Sequence, residues 1–287
     1  MKKIRIGDNL FDLGNKTLIM GVLNITSDSF YDKGRYLSFD DAVKHALKME
    51  RQGADIIDIG GESTRPGATT VTLAAEMSRV IPLVEELANK LKIPISVDTY
   101  KSEIAEKALK LGAGMINDIT ALRADKKMPD IINKYDVPIC LMHMQGTPST
   151  MQVQPYYDDV IGEIKDFLKQ RIKYAQSCDI RKENIIIDPG IGFGKRTGEG
   201  FEDNCEILGR LTELNDLDTP ILVGASRKTF IGNISGKDKA LLPKDRLEGS
   251  LAAAVIAAYN GANIIRVHDV KETRRALDIV DCVKKDN

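Results

Sequence analysis

Eight short apolar runs, each followed by a longer segment of helical spacing, constrain this chain more than any other feature of its 287 residues. They are Thr17 to Asn24, Asp55 to Gly60, Pro94 to Asp98, Met115 to Asp118, Val137 to His143, Ile185 to Asp188, Pro220 to Gly224 and Ile264 to His268. The runs are continuous rather than alternating, as strands covered by helices on a parallel sheet should be. Between them, Ser38 with Asp41 ahead of Ala42, Val43, Ala46 and Leu47 reads as a capping box before an apolar stripe that Gly53 ends. Met77, Val80, Ile81, Val84, Leu87, Ala88 and Leu91 repeat the helical stripe, and Pro82 within it predicts a bend or a short first piece. Further stripes run through Ile104, Ala105, Ala108 and Leu109, through Val160, Ile164, Leu168, Ile172 and Ala175, and through Ala276, Ile279 and Val280. A weak echo joins them: Gly53-Ala54, Gly112-Ala113 and Gly261-Ala262 each close a helix just before a strand.

Eight such pairs predict an α/β fold, a (β/α)₈ TIM barrel, for which ~250 residues is typical, with residues 1–287 forming a single domain. The competing doubly wound sheet would carry a dinucleotide fingerprint after its first strand. The sequence there is NITSDSFYDKGRY, with no GxGxxG.

Charge excludes some partners. Forty-one Lys and Arg stand against 42 Asp and Glu, so no overall basic field draws the chain to nucleic acid or to an acidic membrane. The longest apolar run, Leu251 to Tyr259, is far shorter than the roughly 20 residues of a membrane span. The N-terminal MKKIRIGDNLFDLG has two lysines but no uninterrupted apolar run, and so does not read as a secretory signal. Cys140, Cys178, Cys205 and Cys282 are scattered with no CxxC pair, which points to incidental thiols in a reducing cytoplasm.

In barrels of this kind, chemistry lies at the carboxyl ends of the strands. Polar residues fall there repeatedly: Asn24, GGESTRPG, Asp98, Asn117-Asp118, Met142-His143, Asp188, Ser226-Arg227-Lys228, and Arg266 with His268. Burying an unpaired charge costs several kcal/mol, so a ring of such residues marks a site. Singly, each has a plainer role. Asp188 before Pro189-Gly190 suits a turn, and its place in the ring tips it toward the site. Asp98 before Thr99 suits a helix cap equally well. Asn117 is a common turn residue, Arg227 and Lys228 suit a solvated surface, and His143 in LMHM suits a satisfied core position. GIGFGK lacks the spacing of a Walker A loop. A diphosphate has an alternative seat at Arg266, His268 and the amides opening the last helix near Val270 and Lys271, because helix N-termini attract anions.

The strings NITSDSF, DIGGESTRPGA, SVDTYK, INDI, LMHMQGTPSTMQ, IIIDPGIGFGK, GASRK and RVHDV, in this order from about Gly21 to His268, resemble the dihydropteroate synthase family. The resemblance implies a barrel that condenses 6-hydroxymethyl-7,8-dihydropterin diphosphate with 4-aminobenzoate, giving 7,8-dihydropteroate and diphosphate in folate biosynthesis. Sulfonamides imitate the aminobenzoate in that family. Position by position, it implies a pterin pocket of Asp98, Asn117, Asp188 and Lys228, with Arg266 over the ring and Met142 and Phe193 as apolar walls. It implies a diphosphate and Mg2+ site at Asn24, Arg65, Arg266 and His268, with Asn24 on the metal. It implies an aminobenzoate site at Thr64, Arg65, Pro66 and Phe30, with Ser226, Lys228 and Thr229 at the seventh strand. The catalytic group is then Asp98, Asp188, Lys228 and Arg266. Ser27, Lys33 and Thr229 depart from residues common in the family.

The implied mechanism is dissociative, with the departing diphosphate stabilised by magnesium and cations and the pterin methylene cation held by anionic and π surfaces. A neutral arylamine attacks without a strong base, which suits a sequence lacking a Ser/His/Asp or Cys/His pair. The rival readings are a pterin-dependent methyltransferase, which needs neither ESTRPG nor GASRK, and a pterin binder without turnover. SLAAAVIAAY is apolar on nearly every face, which predicts a homodimer interface.

Overall fold

The computed structural model describes residues 3–25, 38–62, 71–147, 150–198, 201–236 and 239–285. A hairpin, β1 (Lys3–Ile6) and β2 (Asn9–Asp12), precedes the repeating unit. Then come β3 (Leu18–Asn24), α1 (Phe39–Arg51), β4 (Ile56–Gly60), α2 (Leu73–Ala88), β5 (Ile95–Asp98), α3 (Ser102–Lys110), β6 (Met115–Asp118) and α4 (Met128–Tyr135). They are followed by β7 (Ile139–Met142), α5 (Val160–Ser177), β8 (Ile185–Asp188), a small pair β9 (Thr197–Gly198) and β10 (Phe201–Glu202), and α6 (Asp203–Gly209). The chain continues through β11 (Leu222–Val223), α7 (Thr229–Ser235), α8 (Leu247–Tyr259), β12 (Ile264–Val267) and α9 (Val270–Lys285).

Eight strands form one parallel sheet in the order β11-β12-β3-β4-β5-β6-β7-β8. A parallel bridge from Ile187 to Ile221 returns β8 to the segment entering β11. The (β/α)₈ barrel read from the apolar runs is therefore the fold.

Alternation along each strand sorts the side chains into two layers. Ile57 and Ile59 of β4, Ile95 and Val97 of β5, and Ile185 and Ile187 of β8 face outward and pack in one cluster with the helix stripes. Met20, Ile56, Met115, Cys140, Ile186, Leu222 and Ile264 face inward and pack with Ile4, Ile6 and Leu13, so the hairpin plugs the amino end of the barrel. The plug seats closely. Gly114 stands where a Cβ would come 2.5 Å from the backbone nitrogen of Gly7.

The helix ends follow the residues that mark them. Asp41 N–H donates to Ser38 Oγ (3.2 Å) and Ser38 N–H to Asp41 Oδ2 (3.3 Å), the reciprocal bonds of a capping box. Gly53, Gly112 and Gly261 have φ of 98°, 105° and 108°, so the echo in the sequence is a repeated left-handed helix stop. Of the two outcomes expected at Pro82, a short first piece is not found: α2 runs through the proline as a single element. Buried Val80 before it and Leu83, Val84 and Leu87 after it keep both halves against the sheet.

The plug makes a stability prediction. Gly114→Ala must push Gly7 backbone aside, and overpacking of this kind costs about 1–3 kcal/mol. Chemical denaturation should show that loss; unchanged stability would mean that the hairpin does not seat on β6 as described.

Candidate active site

Parallel register brings the sequence candidates together. Asn24, Gly60, Asp98 and Asn117 occupy one row across β3, β4, β5 and β6, and Met142 of β7 pairs with Asp188 of β8. All lie at the carboxyl ends of their strands. Gly60 matters by lacking a side chain: a Cβ there would stand 3.0 Å from Asn24 Oδ1 and 3.5 Å from Asp98 Cβ. The gap leaves the Asn24 amide oxygen open toward the mouth.

Arg266 reaches across the barrel interior from β12. Its Nε donates to Asp58 Oδ2 (2.6 Å) and its Nη2 to Asp98 Oδ2 (2.8 Å). Asp58 Oδ2 also accepts from Asn117 Nδ2 (3.3 Å), so a single carboxylate orients residues on two other strands. Asp58 is wholly buried, and breaking such a pair by removing one partner costs about 3–5 kcal/mol. The sequence reading passed over Asp58. Its signal was a charged residue inside the apolar run DIIDIG, on the same strand face as Gly60.

Asp98 does not cap a helix: α3 starts after Lys101 and has no side-chain cap bond. Asp188 does both things expected of it. Its Oδ1 accepts from Gly190 N–H (2.7 Å), which shapes the turn, while its carboxylate interacts with Lys228. Lys228 stands just before α7, its Nζ donating to Ile191 O and lying 4.2 Å from the centroid of Phe193. Met142 packs with Ile119, Met144 and Met151, and Phe193 lies against that cluster. His143 is buried in the core, edge-on to Phe167 at 4.9 Å, which is the plainer of its two readings.

At the rim, exposed His268 lies with Nδ1 3.0 Å from Ser226 Oγ, and its N–H donates to the same oxygen (3.3 Å). Thr229 is exposed at the start of α7. Arg227 turns away and pairs with Asp269 (2.8 and 2.6 Å). Phe30, Thr64, Arg65 and Pro66, like Ser27 and Lys33, lie outside the described residues. The residues flanking 63–70 are tied down: Lys101 Nζ donates to Glu62 Oε2 (2.8 Å), to Val71 O (2.7 Å) and to buried Glu76. Lys101, Glu62 and Glu76 were also missed, although Lys101 and Glu62 sit inside the strings SVDTYK and ESTRPG.

Burial sets the electrostatics. It pushes Asp98 up to about 7 against the pull of Arg266, with Asp58 adding to the rise. Asp188 is raised by burial and held back by Lys228. Lys228 is lowered to about 7 by burial despite Asp188. Arg266 is opposed by burial, but Asp58 and Asp98 hold it above its usual range. Three carboxylates thus face two cations at the base of the mouth. Such a site suits a flat, neutral heterocycle with adjacent donors and acceptors.

The Pterin binding enzyme family model matches residues 20–268. The dihydropteroate synthase of Escherichia coli K12 is 48% identical over 263 residues, spanning 92% of this chain and 90% of that protein. The chain belongs to the dihydropteroate synthase family. Dihydropteroate synthase of Yersinia pestis, solved with a sulfonamide drug complex, superposes with a TM-score of 0.91 at 42% identity, covering 99% of each chain. That of Xanthomonas albilineans, solved in complex with 7,8-dihydropteroate, gives 0.86 at 40% identity, covering 98% of each. Family membership sets aside the methyltransferase reading. Among the described residues, no helix is long and apolar enough to cross a membrane.

Asp98 and Lys228, two of the groups that burial brings near neutrality, predict a pH profile. Asp98 accepts an N–H only when ionised, so any ligand bond it makes weakens as pH falls through about 7. Lys228 is charged only when protonated, so any charge-assisted ligand bond it makes weakens as pH rises through about 7. Log kcat/KM for the pterin substrate should therefore be bell-shaped around neutrality, since that ratio reports free-enzyme groups. Lys228→Arg, which stays charged, should weaken the alkaline fall in whatever activity it keeps. A flat profile from pH 6 to 8.5 would contradict these assignments.

Proposed function

We infer that this enzyme condenses 6-hydroxymethyl-7,8-dihydropterin diphosphate with 4-aminobenzoate, releasing diphosphate and 7,8-dihydropteroate. The observation that carries the reading is the set of buried Asp98, Asn117 and Asp188 with half-buried Lys228 and Arg266, gathered at one end of the barrel of a dihydropteroate synthase family member. A carboxylate such as Asp188 accepts an amino group and a ring N–H side by side. Asn117, with Nδ2 turned to Asp58, offers its carbonyl to the ring. Lys228 donates to a ring acceptor, Arg266 stacks over the ring, and Met142 and Phe193 form the walls.

The donor chemistry near Asn24 fits magnesium. Its amide oxygen is a hard neutral ligand opened by Gly60, and Mg2+ takes few protein ligands when substrate phosphates and water supply the rest. Among the described residues no group of three or more His, Cys, Asp or Glu could hold a metal ion. Bound with the diphosphate, magnesium neutralises charge on the leaving group.

The rest of the chemistry belongs to the chain. Arg65, Arg266 and His268 bind the diphosphate, and Asp98 and Asp188, with Asp58 behind Arg266, supply negative charge beneath the developing methylene cation. Thr64, Arg65, Pro66 and Phe30, with Ser226 and Thr229, bind the aminobenzoate. Its neutral amine attacks the methylene carbon, forming C–N after C–O has largely broken and diphosphate has departed, and loses a proton afterwards.

Assembly as a homodimer is part of this reading. α8 exposes Ile256 (45%) and Tyr259 (58%), and the adjoining α9 exposes Ile279 (67%) and Val283 (45%). Lys284 Nζ donates to Ala258 O (3.2 Å), which holds the two helix ends together.

Two measurements test these points. Diphosphate release from the pterin diphosphate, with magnesium, should depend on 4-aminobenzoate, and Asp188→Asn should lower kcat/KM about 100-fold, as expected for a lost buried charge-assisted bond worth about 1.5–3 kcal/mol. Tight pterin binding without release would make the chain a silent binder. Light scattering should give twice the 31.7 kDa chain mass at micromolar concentration, with Ile256→Glu shifting it to monomer; a monomeric wild type would refute the dimer.

A further inference from the structure

GIGFGK fails as a phosphate loop in the sequence, and the structure shows what it does instead. Residues 190–194 follow β8 without regular structure, and all five carbonyls accept from side chains. Lys195 Nζ donates to Gly190 O (3.0 Å) and Phe193 O (2.9 Å), Lys228 to Ile191 O, Gln152 Nε2 to Gly192 O (2.9 Å), and Tyr157 Oη to Gly194 O (2.5 Å). Carbonyls turned inward around a cation are the arrangement of a hard-metal site. Here the cation is an ammonium. Lys195 is 1% exposed, and its third partner is His143 Nδ1 (3.0 Å). Since an ammonium only donates, His143 accepts there and carries its proton on Nε2. Burial lowers His143 well below its ordinary range and lowers Lys195 to about 7, so the imidazole is the neutral member of the pair.

The loop has two sides. Its inner side is gathered on Lys195, and its outer side faces the pterin pocket with the Ile191 carbonyl and the Phe193 ring, both on Lys228. Gly192, at φ 78°, passes so near that a Cβ would meet Lys228 Cδ at 2.9 Å. We propose that Lys195 is a positioning residue for the pterin site: its buried ammonium folds the Gly190–Gly194 loop into the one shape that holds Lys228 and Phe193 against the substrate. An apolar chain of the same length leaves Phe193 O without its donor and Gly190 O with only the Phe193 N–H (3.0 Å), and the loop must open to hydrate the freed carbonyl. The inference rests on the pterin-pocket reading above.

The test is calorimetric titration of the pterin diphosphate into wild type, Lys195→Met and Gln152→Ala, with KM for each substrate measured alongside. Gln152 is exposed and ties Gly192 O from outside, so its removal loosens the loop without touching the core. Lys195→Met should raise the pterin Kd at least tenfold and Gln152→Ala several-fold, while KM for 4-aminobenzoate stays within about twofold. A role in folding alone would lower the melting temperature and leave the pterin Kd of the folded fraction unchanged. Variants that bind the pterin like wild type, or that weaken both substrates equally, overturn the inference. If Lys195→Met does not fold, the Gln152→Ala titration decides by the same criterion. A wild type that does not bind the pterin overturns the pocket reading and this inference together.

Discussion

A guanidinium inside a barrel has to be answered by carboxylates, and this requirement organises the site. Arg266 enters from β12 and is met by Asp58 of β4 and Asp98 of β5. Because Asp58 also accepts from Asn117, one buried charge pair fixes side chains on four strands relative to each other. Single mutations that remove one partner of such a cluster leave an unmatched buried charge, so the cluster is held together by what its loss would expose as much as by its own attraction. The same low-dielectric setting raises Asp98 and Asp188 and lowers Lys228, which brings acids and base toward a shared range.

The two ends of each strand divide the work. Met20, Ile56, Met115, Cys140, Ile186 and Ile264, with the β1–β2 hairpin, fill the amino end with apolar side chains and supply rigidity. Two residues further along the same inward face stand Asp58, Asn117, Met142, Asp188 and Arg266. The change from apolar to polar within one strand is therefore the boundary between what holds the barrel and what acts on a ligand.

Much of this was legible in the sequence because parallel strands buried on both faces leave continuous apolar runs, and a polar residue ending such a run has few structural excuses. Asn24, Asp98, Asn117, Asp188 and Arg266 were found that way, and the three-glycine echo foretold the helix stops. Asp58 escaped because it lies inside a run rather than at its tip, and only strand parity separates its inward face from the outward face of Ile57 and Ile59. Lys195 escaped because its partners are carbonyls and an imidazole brought by other elements, which no spacing in the sequence announces. Pro82 left two outcomes open for a related reason: a proline limits backbone geometry locally, and buried residues on both sides decide that α2 continues through it.

Two lysines do for the loops what Arg266 does for the strands. Lys101 ties Glu62 and Val71, on either side of residues 63–70, to the start of α3, and Lys195 gathers the carbonyls after β8. Both tasks need a compact charge with three donors that can be surrounded, rather than a planar fork that matches one flat anion, which explains lysine at the loops and arginine between the carboxylates. The Gly190–Gly194 loop held this way keeps its shape without regular secondary structure. A site that must hold a neutral ring, an anion and a developing cation within one mouth depends on that fixed shape, because each added degree of freedom would separate the charges that the burial has matched.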